Sequence, residues 1–249
     1  MDPQKQTQES QGEKANPLLI PISIILSGAL IGAGLYLSSR PSASEVRSSG
    51  NNSVVDDINV PSIKSDDHVF GNPRAEVVII EYSDTECPFC KTFHATLKRI
   101  VNDYGKDGKV AWVYRHFPIA QLHSRAGKEA EATECAAELG GNSKFWEFTD
   151  AVFARTPSNN GLNPAELPKI AEDIGLNVNK FESCLSSGKY AKKVQDQYNE
   201  AIVGGGNGTP FSVVFAKDGQ KIAVKGAQPY EVLKTIIEAS LNPTLPVAP

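Results

Sequence analysis

The sequence predicts an α/β domain interrupted by a helical block and preceded by a single transmembrane helix. Two observations carry this. The order of elements reads strand, helix, strand, long helical stretch, hairpin, helix. Ahead of them, Leu18 to Leu37 runs for 20 residues without a charge. Hydrophobic residues make up 40% of the 249 and charged residues 22%, enough apolar material for a sizeable core. The net charge of −4 comes with no long basic run, so no nucleic-acid surface is expected.

Each element has a local cause. Val77 to Ile80 is a short β-branched run, the pattern of a central strand buried on both faces. From Pro88 to Tyr104, Phe93, Leu97, Ile100, Val101 and Tyr104 recur at three- and four-residue spacing, which places them on one buried helix face. Lys109 to Phe117 reads as a second strand, with Val110, Trp112 and Tyr114 on one face. The pattern from Ala126 to Val203 is helical, broken over Thr156–Pro164. Phe211 to Phe215 and Lys221 to Val224 flank a turn centred on Asp218-Gly219, a hairpin signal. A last helix is expected from about Pro229, suited to a first helical turn, to Ser240.

These elements divide the chain. Residues 1–17 are polar and read as a short disordered tail, which the redox chemistry below assigns to the cytoplasmic side. Residues 18–37 would span roughly 30 Å as a helix, about one bilayer core. The run exceeds the usual length of a signal-peptide core, which favours an uncleaved anchor, although Ser42, Ala43 and Ser44 offer small residues for a peptidase. Gly28 and Gly32 have a spacing that also permits close helix approach. Residues 38–64, rich in Ser and Asn, read as a flexible linker. The folded domain is assigned to 65–243, with its helical insertion over about 121–203, and 244–249 form a C-terminal tail. Flanking charges are balanced, Lys5 and Lys14 against Arg40 and Arg47, so they do not orient the span.

Chemistry concentrates at Cys87-Pro88-Phe89-Cys90, where a strand gives way to a helix. One turn of helix start brings the two sulfurs within bridging reach. Cys87 lies where free N–H groups and the positive end of the helix dipole converge, which favours its thiolate, the nucleophilic form. Pro88 fits the first turn, where its missing N–H costs nothing. The expected reaction is thiol–disulfide exchange: Cys87 forms a mixed disulfide with a client, and Cys90, deeper in the helix, resolves it. Half of a zinc site and an inert structural bridge are the competing readings. The wide spacing of Cys135 and Cys184 disfavours zinc, and the strand–helix context favours redox chemistry over both. No metal or cofactor is expected.

Other residues are left open by local sequence. Glu81 lies on the strand six residues before Cys87. It is either a surface residue or a buried carboxyl that takes up the Cys90 proton. Thr209-Pro210 follows a glycine-rich loop and opens a strand. The bond is either an ordinary turn or a cis peptide beside free backbone groups that add an extended client as a strand. His94, seven residues after Cys87, either faces the thiols and helps stabilise a thiolate or is a core-edge or solvent-facing residue, the second being favoured; Arg115, His116 and His123 read as structural. Cys135 and Cys184 both fall in the helical block. Buried free thiols and a disulfide stapling the insertion are both compatible with that position.

The ordered set of Val77 to Asp84, Cys87-Pro-Phe-Cys90, Tyr114 to Pro118, Glu134-Cys135, Phe145-Trp146 and Gly208-Thr-Pro210 resembles the DsbA family of thioredoxin-fold oxidoreductases, in its membrane-anchored bacterial form. The resemblance runs from about Asp66 to Leu241. It implies a thioredoxin fold with a helical insertion, placed outside the cytoplasm with the N-terminus inside, that puts disulfides into secreted proteins. It also implies roles: Cys87 as exposed nucleophile, Cys90 as buried partner, Glu81 as buried acid, Pro210 as a cis-proline facing the site, and Cys135 with Cys184 as the extra pair of some members. Pro88, Phe89, Thr209 and Pro210 would contact the client. The implied partners are cysteine-containing client proteins and a membrane redox protein that resets the disulfide. Phe89 departs from the histidine of the best-known members, so weaker thiolate stabilisation and a less oxidising pair are expected.

Overall fold

In the computed structural model, residues 58–243 are described. The tail, the anchor over 18–37, most of the linker and the C-terminal residues 244–249 lie outside the described residues. Among the described residues, no helix is long and apolar enough to cross a membrane.

Five strands form one sheet: β1 (His68–Gly71), β2 (Val77–Ser83), β3 (Val110–His116), β4 (Phe211–Phe215) and β5 (Lys221–Lys225), in the order β1-β3-β2-β4-β5. β2 and β3 are parallel neighbours, linked through the helix α1 (Pro88–Tyr104), and the other pairings are antiparallel. The parallel pair needs a crossover, and the amphipathic α1 supplies it. The insertion between β3 and β4 contains α2 (Ala126–Arg155), α3 (Glu166–Asp173), α4 (Val178–Ser187) and α5 (Ala191–Val203), and α6 (Tyr230–Leu241) closes the chain.

The register sorts the β2 side chains between two cores. Ile79 faces Trp112 and Val214 across the sheet, and Glu81 faces Tyr114 and Ser212. Because side chains alternate along a strand, these residues share one face with Ser83. On that face Ile79, Trp112, Tyr114 and Val214 pack with Phe93, Leu97 and Ile100 of α1 and Leu233 and Ile237 of α6. Each fully buried apolar side chain of this size contributes about 1.5–3 kcal/mol relative to exposure. The opposite face packs Ile80, Tyr82, Val113, Phe211 and Val213 around Val60 and Ala201. A separate core, with Phe148, Ile170 and Phe181, holds the insertion together.

Three features differ from the sequence-based expectation. The strand β1 was not anticipated. It is four residues long, too short to show a period, and exists by pairing with β3. The ordered domain begins before residue 65: Val60 is 1% exposed, and Lys221 Nζ donates to the carbonyls of Ile58 and Val60 at 2.9 and 3.0 Å. Arg115, fully buried, completes that attachment. It donates to both carboxylate oxygens of Asp67 at 2.9 and 2.7 Å and to the carbonyls of Pro61 and Ser62. Finally, α2 is bent at Gly141, whose φ of 76° and ψ of −170° leave the helical region in a conformation that a side chain resists.

Candidate active site

The turn from β2 into α1 builds the site. Cys87 is the N-cap of α1 in extended conformation, and Pro88 occupies the first turn. No side chain caps this end, and the first turn holds no acidic residue. The free N–H groups and the dipole therefore act on the thiol without competition. Cys87 is 5% exposed and Cys90 is sealed at 0%; both are free thiols.

The two sulfurs sit in unequal surroundings. The Cys90 thiol, donating to Cys87, lowers the Cys87 pKa to about 6 against the opposing effect of burial. The Thr209 side chain and the N–H groups of Cys90 and Phe89 act in the same direction. The protonated Cys87 Sγ lies 3.5 Å from the Thr209 carbonyl oxygen, to which it donates. Burial pushes the Cys90 thiol well up, and the negative charge of Cys87 adds to it. One thiol is therefore a thiolate near neutral pH while the other keeps its proton. The Asp84 N–H lies 3.5 Å from Cys90 Sγ.

Glu81 is fully buried, and among the described residues neither carboxyl oxygen has a hydrogen-bond partner. Burial raises its pKa to about 8; the nearby Ser83 and Trp112 side chains work against that rise, and charge on Cys87 adds to it. Ser83 Oγ, Tyr114 OH and Ser212 Oγ, on the same face of the sheet, are also buried without partners. Charge on Glu81 also acts on Cys90, which couples the two groups. Glu81 is therefore buried and not at the surface. Its polar companions were missed, although Ser83 follows Glu81 by one strand period and Tyr114 is its cross-strand partner.

The Thr209–Pro210 peptide bond is cis. Thr209 shares with Cys87 a groove of about 420 Å³, lined also by Pro88, Phe89, Ile119, Leu122, His123, Asn159, Asn207 and Gly208. Phe89 and Leu122 are 66% and 65% exposed, large apolar side chains at the groove. The cluster beneath its insertion side is acidic. Asp84 accepts from the N–H groups of Glu86 and Ile119 and pairs with His123 Nδ1 at 2.9 Å. Glu129 accepts from the Thr85 hydroxyl at 2.6 Å, and burial raises its pKa to about 8.

Of the remaining sequence candidates, Cys135 and Cys184 form a disulfide joining α2 to α4, with Cα atoms 5.8 Å apart. His94 is buried at the edge of the main core, packed among Trp112, Trp146 and Phe153, and its Nε2 meets Asp150 at 2.7 Å. His116, and with it His68, braces the buried Glu134. Among the described residues, no group of three or more His, Cys, Asp or Glu side chains is placed to hold a metal ion.

A Cys-x-x-Cys pair at the start of a helix, set on this sheet order and facing a cis-proline loop, defines a thioredoxin-type domain, here carrying a helical insertion. Residues 64–239 match the family model described as thioredoxin, and the chain belongs to that family. Among solved structures, DsbA2 of Pseudomonas aeruginosa is 28% identical with a TM-score of 0.61, covering 72% of this chain and 96% of that one. Oxidised BdbD of Bacillus subtilis, at 23% identity and a TM-score of 0.64, shares the fold over 74% of this chain and 96% of its own. A curated relative, Na(+)/H(+) antiporter NhaA 3 of Salinispora tropica, is 34% identical over 154 residues, which are 62% of this chain but 22% of that protein's length.

Proposed function

We propose that this chain is a thiol–disulfide oxidoreductase that exchanges disulfides with cysteine-containing polypeptides outside the cytoplasm, acting as an oxidase. The inequality of the two thiols carries this reading: a low-pKa Cys87 beside an apolar groove, and a buried Cys90 with a raised pKa beside an unpartnered carboxyl. The likeness to DsbA2 of Pseudomonas aeruginosa supports it. The antiport named for the longer relative concerns a protein of which the match covers 22%, and the reading rests on the thiol site instead.

In the oxidising direction, a client thiolate attacks Cys87 Sγ of the Cys87–Cys90 disulfide. The S–S bond breaks, its electron pair leaves on Cys90, and Glu81 supplies the proton that Cys90 retains. A second client thiolate then attacks the mixed disulfide and releases Cys87 as a thiolate, a good leaving group because its pKa is low. Two electrons and the client's disulfide have then changed places. A membrane redox partner accepts those electrons and restores the Cys87–Cys90 bond. No cofactor enters these steps. The charge-free run over 18–37 would hold the domain at the membrane, with residues 1–17 in the cytoplasm. A persistent Cys135–Cys184 bond suits an oxidising compartment.

The test is the Cys87/Cys90 reduction potential, measured by equilibration in glutathione buffers with thiol trapping. A potential more oxidising than the glutathione poise supports donation of disulfides. A strongly reducing value transfers the reading to a reductase, and function left intact when both Cys87 and Cys90 are replaced would leave a binding domain that does not use its thiols. Cys90→Ser is expected to accumulate the mixed disulfide.

A further inference from the structure

A strained loop of the insertion borders the thiol groove. Ser158, Asn159 and Asn160 are consecutive non-glycine residues with φ of 69°, 54° and 64°. This left-handed region is sparsely populated by residues with side chains; asparagine tolerates it best. Three in succession persist only if the surroundings fix each one.

They are fixed chiefly by Glu86, the residue immediately before the nucleophile. Its carbonyl accepts from the Asn159 N–H at 2.8 Å, and its carboxylate accepts from the N–H groups of Gly161 and Leu162 at 3.1 and 3.0 Å. The Ser158 N–H is held by Thr156 Oγ1 at 2.9 Å. Asn160 spends both ends of its amide on the segment before α2: Nδ2 donates to the Leu122 carbonyl, and Oδ1 accepts from the Arg125 N–H. The loop is thus tied to the active-site turn and to the segment carrying Leu122 and His123.

Of the two asparagine amides in this triplet, only one is left unspent. The Asn159 amide makes no hydrogen bond among the described residues. Asn159 is exposed and lines the groove together with Cys87, Phe89, Gly208 and Thr209. We propose that Asn159 is a specificity-determining residue: its amide pairs with the main chain of an extended client polypeptide whose cysteine is joined to Cys87. This rests on the exchange reaction proposed above.

The chemistry fits that partner. An amide carries a donor and an acceptor, the complement of a peptide group's C=O and N–H. It is neutral, so it recognises backbone without selecting client charge. The apolar surfaces of Phe89 and Leu122 take neighbouring side chains without demanding one sequence. Thiols lacking peptide groups have nothing for the amide to recognise.

The experiment compares oxidised wild type with Asn159→Gly. Glycine adopts the left-handed conformation readily, so the backbone is preserved while the amide is removed. Rates of reduction are measured with an unstructured cysteine-containing peptide and with 2-mercaptoethanol, alongside the Cys87/Cys90 potential. Loss of one or two hydrogen bonds should slow the peptide about tenfold. The 2-mercaptoethanol rate and the potential should stay within about twofold, since neither involves peptide recognition. An unchanged peptide rate, or equal slowing of both thiols, overturns the assignment. Wild type that reacts with neither thiol through Cys87 overturns the exchange reading, and this inference with it.

Discussion

Cys87 and Cys90 sit at one strand–helix turn, whereas Cys135 and Cys184 come from two helices and lie 49 residues apart in sequence. The first pair faces an open groove on one side and a buried carboxyl on the other. The second pair belongs to the insertion's own core, packed near Phe148, Ile170 and Phe181. The same chemical group serves exchange in one place and fastening in the other. A helix N-terminus, a sulfur donor and an accessible groove lower one thiol and make it reactive. Joining α2 to α4 instead limits the unfolded chain.

Breaking the second pair should give the largest stability effect. Cys135→Ala with Cys184→Ala opens a loop of about 50 residues and should cost up to about 4 kcal/mol on the chain-entropy model. Thermal melting would show the loss, and the Cys87/Cys90 potential should not move. A shift in potential would mean that the two regions are coupled.

Glu81→Gln should act in the opposite direction. Glu81 has its folded pKa raised from 4.5 to about 8. Its contribution is fully present below the unfolded value and is lost as pH rises through the folded one. At pH 7 the folded carboxyl holds a proton that the unfolded chain has released. Glutamine removes that mismatch and should stabilise the reduced protein by about 3 kcal/mol at pH 7, and by little at pH 4. The same variant should slow exchange at Cys90, because its proton donor is gone. Stabilisation that persists at pH 4 would mean that Glu81 is not the buried acid.

A third effect sharpens the comparison through pH. Cys87 is lowered from 9.0 to about 6. A depressed folded pKa contributes stability above the unfolded value and loses it as pH falls through the folded one. The reduced protein should therefore gain on the oxidised protein between about pH 6 and 9, because the oxidised form has no Cys87 thiol to titrate. Melting temperatures of both forms across that range provide the check. Solvent at the groove limits the size of the gain.

The helix over Pro88–Tyr104 was legible in full, since its proline start and three-to-four spacing are local properties. The reactive pair was legible for the same reason. Glu81 was not decided by its strand, because its burial depends on α1 covering that face and on Tyr114 and Ser212 beside it in the sheet. The short β1 and the docking of residues 58–64 arise from partners distant in sequence, Tyr114 and Lys221 among them. The Ser158–Asn160 loop fell within the break in the helical pattern over Thr156–Pro164. Its relation to Cys87 appears only once Glu86 holds it.

At neutral pH Cys87, and not Cys90, is the thiolate. Ultraviolet absorbance of the thiolate, followed against pH in the reduced protein, tests it most directly, with Cys87→Ser as the blank. The expected result is a transition near pH 6 that disappears in that variant. A first transition at the ordinary cysteine value, or a low transition that survives Cys87→Ser, would contradict it.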